Sequence, residues 1–165
     1  MKKLLIVGAG SHGWVVKEIA ETVGGYEEID FADDNSSVAV GVFADLEALH
    51  REYDAAIVSI GNNQLRKELL RKLAEIGYDL PVLIHPTAYI SKSSKIGCGT
   101  IVGPKAIVNT NVHVGEGCII SAGAIVDHDA HLQKYVHINA GAIVKAGAQV
   151  REEQKVDAGQ VVKGM

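Results

Sequence analysis

An aliphatic residue recurs at every sixth position from residue 90 to residue 162, without a single miss. The series is Ile90, Ile96, Val102, Val108, Val114, Ile120, Val126, Leu132, Ile138, Val144, Val150, Val156 and Val162. Neither an α-helix nor a plain strand keeps one face buried at this spacing. A coiled strand does so if each coil turns three corners, so that about eighteen residues complete one coil. Each coil is too thin to bury its apolar side alone and must stack on its neighbours. The sequence therefore predicts a parallel β-solenoid.

The first half of the chain has a different pattern. Apolar runs predict strands at residues 3–7, 28–32, 55–60 and 81–84. Helical spacing of apolar residues predicts helices after the glycine turn at 8–13, over 45–52, and from Asn62 or Asn63 through Leu65, Leu69, Leu73 and Ile76. Strands that alternate with helices indicate a parallel sheet. We expect a Rossmann-like α/β half domain over residues 1–84 and the all-β solenoid over residues 85–165.

The glycine turn fits a phosphate-binding pattern. Gly8, Gly10 and Gly13 form GxGxxG between a strand and a helix, and Asp33 follows at the end of the next strand. Such glycines let a phosphate approach the backbone at a helix N-terminus. A complete dinucleotide fold needs two such halves, so the half domain suits a mononucleotide better than NAD. The other interpretation is a tight turn that only packs the helix on the sheet.

Four histidines lie within the solenoid. His128 stands in a corner between Asp127 and Asp129, where a carboxylate can orient one ring nitrogen while the other faces an acceptor. This is a general-base arrangement. His113 and His131 are one coil apart and should stack in one outward column. His137 has the same position within the period of six but belongs to another column. A metal site needs three or four ligands, and no third ligand joins His113 and His131, so we expect no metal.

These motifs resemble a known family. IGCGTI, VGEGCI and ISAGAI, together with GAGSHG, FADD, IGNN and LIHPTAYIS, resemble the hexapeptide-repeat acetyltransferases of nucleotide-linked amino sugars or sialic acid. The resemblance implies a left-handed β-helix, an active homotrimer and acetyl-CoA as co-substrate. It implies a UDP-sugar site in the first domain, with the residues Gly8, Gly10, Ser11, His12, Gly13, Asp33, Asp34 and Gly61.

The resemblance also assigns roles in the solenoid. It implies that His128 is the catalytic base, that Asp129 supports it, and that His137 contacts acetyl-CoA. The backbone N–H of Ala146 would bind the thioester carbonyl, at a place where the family usually has glycine. The implied reaction is direct acetyl transfer to an amino group of a UDP-linked sugar. The alternatives are O-acetylation of sialic acid or a related hydroxyl, and a non-catalytic sugar-nucleotide-binding or scaffolding subunit.

Charge and hydropathy limit the partners. The net charge is −4, so no basic field indicates nucleic acid or an anionic membrane as a partner. No apolar run approaches the length of a membrane span, and we expect no membrane insertion and a cytoplasmic location. The expected partners are a nucleotide-sugar substrate, acetyl-CoA and two further copies of the chain.

Overall fold

The computed structural model describes residues 1–164, which divide into two compact units, Met1–Pro81 and the residues from Val82 onward. Within those residues, none of the helices has the length and hydrophobicity needed to cross a membrane.

The first unit is a small parallel sheet with helices. Its elements are β1 (Lys2–Val7), α1 (Ser11–Val23), β2 (Tyr26–Ala32), a 3₁₀ turn (Phe43–Asp45), α2 (Leu46–Leu49), β3 (Ala55–Val58) and α3 (Asn63–Ile76). The strand order is β2-β1-β3, and both pairings are parallel. The central strand is fully buried from Leu4 to Val7, as expected for a parallel strand covered on both faces.

Helix α3 begins and ends at recognisable signals. The Asn62 side chain accepts a hydrogen bond from the backbone N–H of Leu65, at 2.9 Å, and caps the first turn. Gly77 ends the helix with φ of 108°, and its N–H donates to the Leu73 carbonyl. The predicted helix start at Asn62 or Asn63 is therefore confirmed.

The second unit consists of two-residue strands joined by tight corners. They are β4 (Leu83–Ile84), β5 (Tyr89–Ile90), β6 (Lys95–Ile96), β7 (Ile101–Val102), β8 (Ile107–Val108), β9 (His113–Val114), β10 (Ile119–Ile120), β11 (Ile125–Val126), β12 (His131–Leu132), β13 (His137–Ile138), β14 (Ile143–Val144), β15 (Gln149–Val150), β16 (Lys155–Val156) and β17 (Val161–Val162). Every pairing between them is parallel, as in Leu132 with Val114 and with Val150. The predicted solenoid is confirmed.

The strands form three sheets, which we call the sides of the solenoid. Side one contains β4, β7, β10, β13 and β16; side two contains β5, β8, β11, β14 and β17; side three contains β6, β9, β12 and β15. The chain visits the sides in this order, so each coil has three corners. The corner between sides two and three is opposite side one.

The two residues of a strand point in opposite directions. The second residue points inward, and the fully buried core contains Val102, Val108, Ile120, Val126, Leu132, Ile138, Val144, Val150 and Val156. Small residues of the corners, such as Ala106, Ala124 and Ala142, pack against this column and are also fully buried. The outward residues of side three, among them His113, His131 and Gln149, are exposed.

One predicted strand belongs elsewhere. We expected residues 81–84 to form a fourth strand of the α/β sheet, and this prediction is wrong. Leu83 and Ile84 pair with Ile101 and Val102 on side one of the solenoid. The reason is that Ile84 lies six residues before Ile90 and so occupies one more place in the period of six. The compact units accordingly divide at Pro81 and Val82, slightly before the predicted border at residues 84 and 85.

The alternation of inward and outward residues can be tested on a single strand. Val150 is fully buried and its neighbour Gln149 is exposed. Val150→Asp should prevent folding of the solenoid, because a buried unpaired charge costs several kcal/mol against a total stability of about 5–15 kcal/mol. Gln149→Asp should change the stability by only about 0.5 kcal/mol. Thermal melts followed by circular dichroism measure both, and equal damage would contradict the inward position of Val150.

Candidate active site

The glycines of the turn between β1 and α1 serve different purposes. Gly8 has φ of 112°, and a side chain there would lie 2.8 Å from the Ser59 hydroxyl. A Cβ on Gly13 would lie 2.2 Å from the Gly8 carbonyl oxygen. Gly8 is therefore required where the turn packs against Ser59 and Ile60, and Gly13 is required where α1 packs on the turn. Gly10 differs, because a Cβ there would meet nothing within 4 Å, and the same holds for Gly61.

The acidic residues at the end of β2 hold backbone groups. One oxygen of Asp33 accepts a hydrogen bond from the Ala9 N–H and the other accepts one from the Asn35 N–H, both at 2.8 Å. Asp34 accepts a hydrogen bond from the Phe43 N–H, also at 2.8 Å, and its side chain is exposed. Asp33 thus ties the glycine turn to β2, a structural role that the sequence motif does not reveal.

A buried arginine in α3 was missed by the sequence analysis. We expected Leu65 on the apolar face, but Leu65 is 37% exposed and Arg66 is fully buried. The guanidinium of Arg66 donates to the Ile60 carbonyl at 2.9 Å. Burial of His12, together with the charge of Arg66, lowers the pKa of His12 below its usual value. His12 in the glycine turn is therefore neutral near pH 7. The spacing of Arg66 with Leu69 and Leu73 could have placed it on the buried face.

His128 and Asp129 lie side by side in the corner between sides two and three. The Nδ1 atom of His128 is 2.8 Å from Oδ2 of Asp129. This hydrogen bond is the main cause that raises the pKa of His128, and the charges of Asp127 and Asp129 also raise it. It likewise lowers the pKa of Asp129. With the Nδ1 proton donated to Asp129, Nε2 carries the lone pair that a general base needs. Both side chains are more than half exposed, so an acceptor can reach them.

Ala146 occupies the same corner position one coil after His128. The Gly147 N–H donates to the His128 carbonyl at 3.0 Å, which joins the two coils at this point. The N–H of Ala146 donates to no group among residues 1–164, and Ala146 is partly exposed. The structure therefore brings His128, Asp129 and the Ala146 N–H into one column.

His137 lies apart from that column. It points outward from side one, is only 7% exposed, and its Nε2 atom is 3.3 Å from the Ser121 hydroxyl. Side one is opposite the corner that holds His128. A single solenoid therefore does not bring His137 and His128 to one site.

The remaining solenoid histidines follow the predicted register. The rings of His113 and His131 are stacked, with centroids 5.5 Å apart. In the part of the chain that the structure describes, no group of three or more His, Cys, Asp or Glu residues is arranged to hold a metal ion.

Both halves of the chain match known families. The model of the PglD N-terminal domain matches residues 3–73, and that of the bacterial transferase hexapeptide matches residues 93–128. The acetyltransferase domain of PglB from Neisseria gonorrhoeae, solved in complex with acetyl coenzyme A, is 37% identical with a TM-score of 0.93. The match covers 99% of this chain and 82% of that one. The solenoid is therefore a left-handed β-helix, as expected.

Two further relatives are informative. UDP-N-acetylbacillosamine N-acetyltransferase from Bacillus subtilis is 31% identical over 62% of this chain, and the match spans about half (51%) of that protein's length. A variant of GDP-perosamine N-acetyltransferase from Caulobacter crescentus, solved with CoA and GDP-perosamine, is 26% identical with a TM-score of 0.75. That match covers 99% of this chain and 90% of the other.

The two kinds of glycine in the turn predict different effects of the same substitution. Gly13→Ala should destabilise the first unit by about 1–3 kcal/mol, because the new methyl group collides with the Gly8 carbonyl. Gly10→Ala should leave the stability within about 0.5 kcal/mol, because its φ of −72° suits any residue and the space beside it is open. Chemical denaturation of the two variants tests this, and a large loss of stability in Gly10→Ala would contradict it.

Proposed function

The chain belongs to the hexapeptide-repeat sugar acetyltransferases, and from this premise we propose that it transfers the acetyl group of acetyl-CoA to an amino group of a nucleotide-linked sugar. The observation that carries the proposal is the hydrogen bond between His128 and Asp129, one coil before Ala146, whose N–H donates to no group among residues 1–164. The solved relative at 37% identity holds acetyl coenzyme A. Both further relatives are named N-acetyltransferases, which favours an amine over a sialic acid hydroxyl as the acceptor.

The proposed mechanism is direct transfer without a covalent enzyme intermediate. The amine nitrogen attacks the acetyl carbonyl carbon while Nε2 of His128 accepts the amine proton. The carbonyl oxygen gains negative charge and is stabilised by the Ala146 N–H. The carbon–sulfur bond then breaks, and coenzyme A leaves as a thiolate. Because the pKa of His128 is raised, His128 becomes protonated at a higher pH than an unperturbed histidine does. As the pH is lowered, the rate should therefore begin to fall at that higher pH.

The placement of His137 supports an active site shared between copies of the chain. If His137 contacts acetyl-CoA and His128 removes the proton, we propose that the two come from different subunits, because one solenoid carries His137 on side one and His128 at the opposite corner. The outward residues of side two are apolar, namely Tyr89, Ile107, Ile125, Ile143 and Val161. Tyr89 is 57% exposed and Val161 is 44% exposed. We assign this column to the contact between subunits of a homotrimer, in which each neighbouring pair forms one site.

The first unit is proposed to hold the nucleotide. The open space at Gly10 and Gly61 and the exposed Ser11 suit a sugar diphosphate at the N-terminus of α1, beside His12. We propose that Asp34, which is exposed just after β2, meets the uridine. One relative acts on a UDP-sugar and another binds a GDP-sugar, and we propose UDP for this chain. The three-stranded sheet is half of a dinucleotide fold, which argues against NAD. We place the reaction in the cytoplasm.

The role of His128 predicts a large kinetic effect. His128→Ala should lower kcat by about 10²–10⁴ with little change in KM for acetyl-CoA, because a positioned base acts in the transition state. His131→Ala is the matched control, since His131 is also exposed and begins the next strand of the same coil. Thiol release from acetyl-CoA with an amino-sugar nucleotide measures both. Activity of His128→Ala within about threefold of the parent would remove it from the mechanism.

The identity of the nucleotide can be read from melting temperatures. A ligand that binds only the folded state stabilises it by about 2.7 kcal/mol at a hundredfold excess over Kd. UDP or a UDP-sugar should raise the melting temperature, whereas GDP and NAD should not. Gly10→Ala and Asp34→Ala should each reduce the response to UDP and leave the response to acetyl-CoA intact. A shift with NAD and none with uridine nucleotides would overturn the assignment of the nucleotide.

A further inference from the structure

A ladder of hydrogen bonds leads to His128 through three successive coils. Ser93, Asn111 and Asp129 occupy the same position in the corner between sides two and three. The Asn111 N–H donates to the Ser93 hydroxyl at 3.0 Å. The Asn111 side-chain amide donates from Nδ2 to Oδ1 of Asp129 at 3.2 Å. The other oxygen of Asp129, Oδ2, meets Nδ1 of His128.

The two bonds of Asp129 use different oxygens. Since Asn111 holds Oδ1, the carboxylate plane is fixed and Oδ2 is directed at the imidazole. The bond from Asn111 also contributes to the lowered pKa of Asp129, after the larger contribution of His128. Asp129 thus stays ionised, and the two bonds hold its orientation even though its side chain is 57% exposed.

The other flank of His128 is arranged in the same way. Asn109 donates from Nδ2 to Oδ1 of Asp127 at 3.0 Å, again from the preceding coil. The same oxygen of Asp127 accepts the backbone N–H of His128 at 2.8 Å. The neighbours of His128 in the chain are thus the carboxylates Asp127 and Asp129, and each accepts a hydrogen bond from an asparagine of the preceding coil. On the next coil, Lys145 takes the position of Asp127.

The backbone alone does not explain an asparagine at position 111. Asn111 has φ of 57°, a left-handed conformation that asparagine tolerates well. However, Lys105 has φ of 56°, and its N–H donates to the Thr87 hydroxyl of the preceding coil at 3.0 Å. Lys105 therefore reproduces the backbone and the hydroxyl bond of Asn111 in another corner without an amide side chain. What distinguishes Asn111 is its bond to Asp129.

We propose that Asn111 is a positioning residue for acetyl transfer: through Asp129 it fixes the tautomer and orientation of His128, so that Nε2 faces the acceptor amine. The proposal rests on the proposed role of His128 as the base. It adds to the His128–Asp129 pair a third residue, which lies in the preceding coil and acts through Asp129.

The test compares Asn111→Gly with Lys105→Gly in the full chain. Glycine adopts the left-handed conformation freely, so each variant loses a side chain and keeps the backbone. Asn111→Gly should lower kcat about two- to tenfold, the effect of one hydrogen bond, with KM for acetyl-CoA unchanged. Nitrogen-15 NMR should show that the pKa of His128 falls toward its ordinary value and that its Nδ1–H tautomer loses population. Lys105→Gly should change neither the kinetics nor the His128 spectrum.

The outcomes separate this proposal from the proposed function. If Asn111→Gly leaves the titration and tautomer of His128 as they are in Lys105→Gly, Asn111 does not position the base, whatever the activity. If the spectrum of His128 changes as expected but His128→Ala retains activity, Asn111 does position the imidazole, and the assignment of His128 as the base fails. An equal loss of kcat in both glycine variants would show a general effect of corner flexibility and would overturn the proposal.

Discussion

The hydrogen bond from one coil to the next is the interaction on which the solenoid depends. The N–H of His113 donates to the carbonyl of Ala130, and the N–H of His131 donates in turn to the carbonyl of Ala148. Because such bonds recur at a constant spacing along the chain, a residue lies over the one that comes about eighteen positions later. Side chains are thereby sorted into columns, some buried and some exposed. The candidate active site is one of these columns.

This constraint explains which features the sequence could predict. The period of six identifies the buried aliphatic residues and the stacking of His113 on His131, since both depend only on register. It also contained the information for β4, because Ile84 continues the series. Ile84 was assigned to the sheet of the first unit because a short apolar run after a helix has the same appearance in either fold.

Other features depend on side-chain geometry, which a motif does not encode. The pattern GxGxxG makes its three glycines equivalent, whereas packing requires Gly8 and Gly13 and leaves open space at Gly10. Asp33 fits the place of a ribose ligand in the motif, but its oxygens accept the N–H groups of Ala9 and Asn35. The bond from Asn111 to Asp129 depends on the rotamers of both residues, and it was not predicted.

The same geometry limits what one chain can do alone. A corner collects residues from successive coils, and this one brings together the candidate base His128, the carboxylate of Asp129 and the N–H of Ala146. The same corner cannot include His137, because His137 lies on side one, which is opposite the corner between sides two and three. A thin three-sided rod has no interior cleft in which these groups could converge. A cleft requires a second surface, and in the proposed homotrimer a neighbouring solenoid would provide it. If the proposed function is correct, the repeat arranges part of the site within each chain, and association of chains completes it.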